Sequence, residues 1–288
     1  VINALKGRNA IIVSPSPAGS KVFKQLLEFI NIELEKIKAP KNLIQTFDMP
    51  VTKDLTNELM LKVDLVIVTG SLNNVKQAAK SGTPAIGVGQ GNVTVIVDET
   101  ADLEDAAKKI KMSKIFDNAT SCSSENSLII IEEIYNDLID CLKKKGATLL
   151  NNEKKKLLEK TLWIEGKLNR EVIAKPAKFI ADKINLSADS DIKILMVEED
   201  GVGSEHLFSG EKLSPVLTLY KAKNFEHAKE IAHKILNYQG IGHSIGIHKH
   251  FINTTKISTT TKGSEAELKD YFEDYCKKYS PEEVKNFE

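Results

Sequence analysis

The chain has 288 residues, of which 41% are hydrophobic and 28% are charged, a composition typical of soluble globular proteins. Lysine plus arginine and aspartate plus glutamate both number 40, so the net charge is zero and gives no reason to expect nucleic acid or an anionic membrane as a partner. No apolar run approaches the roughly 18 residues that a membrane-spanning helix needs.

The three cysteines, Cys122, Cys141 and Cys276, are widely spaced and odd in number. They predict neither a disulfide framework nor a metal site, and a reducing, cytoplasmic location fits them best. Residues 1–7 read as the last turn of a helix that stops at Gly7. Because no initiator methionine precedes them, we expect the sequence to be part of a longer protein.

In the first 112 residues, short β-branched runs alternate with amphipathic segments. Strands are predicted for residues 10–13, 43–47, 65–68, 85–88 and 93–97, and helices for residues 20–37, 55–61, 72–80 and 103–111. This alternation implies right-handed crossovers and an open, mostly parallel α/β sheet. We therefore predict one α/β domain over residues 1–112.

The same alternation continues beyond a boundary predicted near Ser113. Strands are predicted for residues 128–131, 192–197, 216–220 and 243–248, and helices for residues 132–145, 151–160 and 225–236. These elements predict a second α/β domain over residues 113–250. Residues 251–288 are rich in threonine and then polar and helical, so they are predicted to form a C-terminal tail packed on a neighbour or partner.

Cys122 is the first candidate for chemistry. It lies among small hydroxyl residues in the run 116–127, directly before the apolar residues 128–131. A nucleophilic thiol needs small neighbours for substrate access, and nearby N–H groups or cations that favour the thiolate. From the residues alone, a half-buried cysteine in a turn remains the alternative.

Three turns and one carboxylate are further candidates. The segment Thr69-Gly70-Ser71 ends a predicted strand and opens a helix. The helix N-terminus there could bind a pyrophosphate, and an ordinary turn is the alternative. Residues 87–91 precede a strand, so a tight turn with positive φ is favoured over a dinucleotide loop. Glu211 begins a proline-containing turn. Its carboxylate could bind ribose hydroxyls, and a surface loop is the alternative. His243 follows the flexible residues 240–242, where a structural histidine is the alternative.

The order of these motifs resembles that of the CoA-acylating branch of the aldehyde dehydrogenase superfamily. The matching segments are residues 4–9, Ser14-Pro15, Thr69-Gly70, and residues 81–92, 116–127, 211–215 and 240–243. The resemblance covers about residues 1–250, and the cysteine run and residues 87–92 are its specific parts. Residues 253–258 are similar to the C-terminal stretch of a subgroup that includes sulfoacetaldehyde dehydrogenases.

The resemblance implies an aldehyde dehydrogenase-like fold, in which residues 1–112 are a partial dinucleotide-binding domain and residues 113–250 a catalytic domain. Cys122 would be the nucleophile that forms a thioester, and His243 a second active-site residue. NAD or NADP would accept a hydride, and coenzyme A would take the acyl group. The cofactor site would include Ser14, Pro15, Gly70, Ser71, Gly89 and Glu211, the last of these on the ribose. An aldehyde or acyl-CoA substrate and a homo-oligomer, dimer or tetramer, are also implied.

The sequence departs from the family pattern in several places. Gly87 stands where hydrolytic relatives have a general-base glutamate, and because water needs such a base more than a thiol does, transfer to coenzyme A is favoured. Ser16 replaces a histidine that is common in acylating relatives. The oxyanion-hole asparagine is expected upstream of residue 1, and a glycine-rich stretch is missing before residue 253, so weak or no activity is expected. A hydrolytic aldehyde dehydrogenase and a non-catalytic scaffold that keeps the fold are the alternatives.

Overall fold

The computed structural model describes residues 1–17, 19–48, 51–70, 72–186, 191–241 and 243–249. They divide into two compact units, of which the first is Val1–Gly89 and the second begins at Gln90. The predicted tail, with Cys276, lies outside the described residues. None of the described helices is long and apolar enough to span a membrane.

In its described part, the first unit alternates helices with short strands. The helices are α1 (Ile2–Lys6), α2 (Ser20–Lys36), α3 (Lys53–Lys62) and α4 (Leu72–Lys80), and the strands are β1 (Ile11–Val13), β2 (Ile44–Thr46), β3 (Val66–Thr69) and β4 (Ala85–Val88). Strand β1 pairs with β2 and β3 pairs with β4, both in parallel. A small core of Met60, Val66 and Ala78 joins α3, β3 and α4.

The described part of the second unit is built around one parallel sheet of six strands. Its elements are β5 (Val93–Val97), α5 (Leu103–Ile115), β6 (Glu125–Ile131), α6 (Tyr135–Lys144), β7 (Ala147–Leu149), α7 (Asn152–Leu162), β8 (Trp163–Ile164), β9 (Lys167–Leu168), α8 (Ala177–Lys183), β10 (Ile194–Glu198), β11 (Val216–Ala222), α9 (Phe225–Tyr238) and β12 (Ile245–His248). The strand order is β12-β5-β6-β11-β10-β7, and β8 and β9 form a separate antiparallel hairpin.

Both faces of this sheet are covered, which explains why β5 and residues 128–131 of β6 are almost continuously apolar. Side chains alternate between the faces along a strand. In β10, Ile194 and Met196 enter the larger core with α5, α6 and α9, whereas Leu195 and Val197 enter the smaller core with α7 and α8. The parallel sheet between helical layers confirms the predicted α/β fold class.

The boundary between the units lies earlier in the chain than the boundary predicted near Ser113. Strand β5 pairs with β6 and β12, and α5 packs on α6, so both elements belong to the second unit. Burial of β5 on both faces ties it to the six-stranded sheet. The structure therefore corrects the boundary between the predicted domains 1–112 and 113–250, while the dinucleotide-binding role of the first remains a prediction.

Candidate active site

Cys122 lies in an exposed turn between α5 and β6, just before the amino end of that strand. Residues 117–119 have φ angles of 49°, 50° and 61°, in the left-handed region that residues other than glycine rarely adopt. The N–H of Ser124 donates to the carbonyl of Ser121 at 3.0 Å and closes the turn around the thiol. Such local strain is often found at functional sites.

A cleft of about 310 Å³ opens beside this turn. It is lined by Met112, Ser113, Phe116, Ser121, Ser123 and Ser124. The serines on either side of Cys122 approach each other, with 2.9 Å between their Oγ atoms. The small neighbours and the open cleft meet the access requirement that the sequence suggested for a nucleophilic thiol.

Gly91 is the point at which three predicted site residues meet. A Cβ atom there would lie 3.0 Å from the backbone oxygen of Cys122, 3.1 Å from Oε1 of Glu211 and 3.4 Å from Nε2 of His243. None of the glycines at positions 87, 89 and 91 has a positive φ, so the positive-φ turn predicted for residues 87–91 is wrong. A side chain at position 91 would fit only if at least one of these groups shifted by a few tenths of an ångström.

The carboxylate of Glu211 is buried, with the residue 8% exposed, so the alternative of an ordinary surface loop is wrong. The N–H of Glu211 donates to Oε1 of Gln239 at 3.0 Å and fixes the backbone. Burial raises the pKa of Glu211, and a hydrogen bond from Gln90 and the charges of Lys212 and Lys114 oppose that rise. The neighbouring cations therefore favour the ionised form of this carboxylate.

His243 lies immediately before β12, in a turn held by its N–H bond to the carbonyl of Gly240 at 2.9 Å. Gly240 has a φ of 99° and needs the conformational freedom of glycine. Nδ1 of His243 accepts a hydrogen bond from the N–H of Ser244 at 2.8 Å. The neutral ring therefore carries its proton on Nε2, the atom that faces Gly91. Gly242 lies outside the described residues.

The other predicted cofactor residues belong to the first unit. Ser14 and Gly70 are exposed, and Pro15 and Gly89 are half-buried. Gly70 has a φ of 117° and follows β3, and α4 begins two residues later, as the sequence predicted. Ser71 lies outside the described residues. The assignment of all five residues to a dinucleotide site remains a prediction.

Two fully buried lysines lie behind the site, and the sequence reasoning gave neither of them a role. Nζ of Lys114 donates to the carbonyl of Glu125 at 2.6 Å. Nζ of Lys212 donates to the carbonyls of Phe208 and Gly210, both at 2.7 Å. Burial lowers the pKa of Lys114 to about 7, and burial together with the like charge of Lys114 holds the pKa of Lys212 well below its usual value.

A sequence signal for Lys114 exists in the periodicity of α5. Ala107, Ile110 and Lys114 follow one another at helical spacing, and all three are buried. A lysine on the apolar stripe of a helix is a candidate for a role beyond surface charge, because lysine is rarely buried without a partner.

Comparison with known proteins agrees with this geometry. Residues 1–181 match the sequence profile of the aldehyde dehydrogenase family. The chain belongs to the aldehyde dehydrogenase family. Against the acylating sulfoacetaldehyde dehydrogenase of Cupriavidus necator it is 46% identical over 250 residues, which are 86% of this chain and 51% of that protein.

Solved structures of family members also resemble the chain. An acetylating aldehyde dehydrogenase from Geobacillus thermoglucosidasius superposes with a TM-score of 0.82 at 40% identity, covering 86% of this chain and 55% of that one. A propionaldehyde dehydrogenase from Rhodopseudomonas palustris, with bound CoA and an acylated cysteine, gives a TM-score of 0.76 at 31% identity, covering 85% and 55%. The chain thus spans about half the length of these family members.

Proposed function

We propose that the chain carries the thiol centre of an NAD- or NADP-dependent, CoA-acylating aldehyde dehydrogenase, which converts an aldehyde and coenzyme A into an acyl-CoA. The observation that carries the proposal is the convergence of Cys122, Glu211 and His243 on Gly91. Similarity to relatives named as acylating or acetylating enzymes, one of them with an acylated cysteine, supports the same chemistry here.

In this mechanism, the thiolate of Cys122 adds to the aldehyde carbonyl carbon. The dinucleotide, when bound, supplies the acceptor for the hydride that leaves this carbon. Cys122 then holds the acyl group as a thioester until the thiol of coenzyme A, losing its proton, displaces the sulfur of Cys122. His243 presents its Nε2–H beside the thiol turn, where it can donate a hydrogen bond to the reacting oxygen.

The groups that surround Gly91 are suited to binding the ribose of a dinucleotide. The carboxylate of Glu211 can accept hydrogen bonds from ribose hydroxyls, and the missing side chain of Gly91 leaves room between this carboxylate and the thiol turn. Ser14, Pro15, Gly70, Ser71 and Gly89 are proposed to complete the cofactor site.

Coenzyme A, rather than water, is the proposed acyl acceptor because of Gly87. This glycine lies in β4, and a Cβ there would overlap Cγ1 of Val75. A side chain, and therefore a general-base carboxylate, does not fit at position 87 unless Val75 shifts. Without that base, attack by water on the thioester is slow, whereas a thiol attacks with less help.

Sulfoacetaldehyde is proposed as the first aldehyde to test, since an acylating relative 46% identical to this chain carries that name. Propionaldehyde is a suitable comparison, since the structurally similar Rhodopseudomonas palustris enzyme is named for it. A homo-oligomer in the cytoplasm is proposed on the family resemblance and the cysteine usage.

The test measures reduced dinucleotide formed from each aldehyde with and without coenzyme A. We expect formation only with coenzyme A, and a loss of at least about 1000-fold in Cys122→Ser, as for other catalytic nucleophiles. Cys141→Ser is the matched control, because Cys141 is buried against Glu104. Equal rates without coenzyme A would favour the hydrolytic alternative, and a lack of dinucleotide binding would favour the scaffold.

A further inference from the structure

Buried hydrogen bonds connect the thiol turn to the loop that carries Glu211. Nδ2 of Asn126 lies 3.4 Å from the carbonyl of Ser124, and its Oδ1 accepts from the N–H of Lys212 at 3.0 Å. Asn126 therefore joins the two loops through one side chain.

The buried side chain of Lys212 stabilises the loop that carries Glu211. Its Nζ donates to the carbonyls of Phe208 and Gly210, both at 2.7 Å. Burial, together with the like charge of Lys114, lowers the pKa of Lys212. Lys212 is thus a buried brace for the backbone on either side of Glu211.

Lys114 is the cation that faces the carboxylates. From α5 it donates to the backbone of Glu125, the first residue of β6, and it interacts electrostatically with the carboxylates of Glu125 and Glu211 and with Lys212. Oε2 of Glu125 and Oγ of Ser124 are buried and have no hydrogen-bond partner among the described residues. The end of the thiol turn is therefore a polar interior, in which the charges of Glu125 and Glu211 offset part of the cost of burying the ammonium group.

We propose that Lys114 is a positioning residue whose ammonium form anchors the thiol turn through Glu125 and keeps Glu211 ionised for dinucleotide binding. This inference depends on the proposed dinucleotide role of Glu211. Lys114 itself need not contact substrate or cofactor, because it acts through the two loops.

A distinctive pH dependence follows. Burial raises the pKa of Glu211, and the charge of Lys114 opposes that rise. Dinucleotide affinity is therefore expected to fall at lower pH, where Glu211 gains a proton, and the charged Lys114 is expected to shift this fall to lower pH. Replacement of a merely structural lysine would leave this acid limb of the profile where it is.

The test is calorimetric titration of the whole chain with NAD⁺ and NADP⁺ across a pH series. Lys114→Met is expected to weaken binding by up to about tenfold on the acid side of the profile, where Glu211 titrates, because loss of a nearby opposite charge raises a carboxyl pKa by at least about one unit. Lys114→Arg is expected to keep the wild-type acid limb, because a guanidinium group carries the same positive charge. Lys108→Met, on the exposed face of α5, is the control and is expected to bind as the wild type does.

A second measurement covers the case in which the larger arginine disturbs the buried site. Carbon-13 NMR of glutamate carboxyls, with Glu211→Gln to assign the signal, is expected to show a higher pKa for Glu211 in Lys114→Met than in the wild type. An unchanged Glu211 titration together with an unchanged binding profile would overturn the role of Lys114. No binding by the wild type would instead refute the proposed function, while the NMR result would stand by itself.

Discussion

Cys122, Glu211 and His243 come from three separate parts of the second unit, and they meet where Gly91 has no side chain. The thiol turn, the Glu211 loop and the turn before β12 can approach each other this closely only because no Cβ separates them. At the residue scale, the absence of a Cβ atom at Gly91 therefore allows the short distances between these three residues.

Gly91→Ala tests this control. The new methyl group would lie 3.0 to 3.4 Å from groups of all three residues, so at least one must move. We expect kcat/KM for the acylating reaction to fall about tenfold, since these contacts require shifts of a few tenths of an ångström and a 1 Å displacement costs about 100-fold. Gly19→Ala is the control, because its nearest neighbour would be 3.4 Å away and its φ is −89°. Wild-type kinetics in Gly91→Ala would contradict the proposed convergence.

The buried amine of Lys114 also predicts how stability depends on pH. Its pKa is lowered from 10.5 to about 7, so between these values the folded protein binds fewer protons than the unfolded chain. This group therefore makes the free energy of unfolding rise with pH through that window, and its contribution is least favourable below about pH 7.

Lys114→Met is expected to remove this slope. Near neutral pH it should also destabilise the fold by about 3 to 5 kcal/mol, because removing one partner of a buried charge pair leaves the Glu125 carbonyl and the facing carboxylates uncompensated. Denaturant unfolding near pH 7 and near pH 9 measures both effects, with Lys108→Met as a control that keeps the slope. A Lys114→Met variant at least as stable as the wild type would show that the cost of burying the charge outweighs the hydrogen bond to Glu125.

At the element scale, α5 connects the buried strand β5 to the thiol turn. It begins at an aspartate cap, in which Oδ1 of Asp102 accepts from the N–H of Asp105 at 3.0 Å. Asp102→Ala is expected to cost about 1 kcal/mol in the free energy of unfolding, and Asp102→Asn much less, because asparagine also caps helices. Thermal unfolding measures the cost. Equal stability of the two variants would indicate that the cap contributes nothing.

The elements whose pattern is long or strongly apolar are recovered from the sequence. The period of α2 and the apolar run in β6 predict both elements, whereas the pattern of neither β7 nor α8, of three and seven residues, is distinct enough to do so. The role of Gly91 could not be predicted, since it depends on atoms of residues distant in the chain. Lys114 was overlooked because its burial depends on packing against β6 and the Glu211 loop.

At the scale of the whole molecule, the two units differ in how well each buries its own core. Strands β3 and β4 form a two-stranded sheet in which Ile67 and Ile86 are 66% and 54% exposed, and pairs of strands are rarely stable alone. The six strands of the second unit are instead covered on both faces by apolar side chains.

Separate expression of the two units tests this difference. A fragment beginning at Gln90 is expected to unfold cooperatively and to keep its Cys122 accessible to iodoacetamide, because its sheet, both cores and the thiol turn lie within it. A fragment of residues 1–89 is expected to show no cooperative transition by circular dichroism, since its small core cannot offset the loss of chain entropy. Cooperative unfolding of residues 1–89 alone would show that β1–β4 and α1–α4 bury enough surface to fold without the second unit.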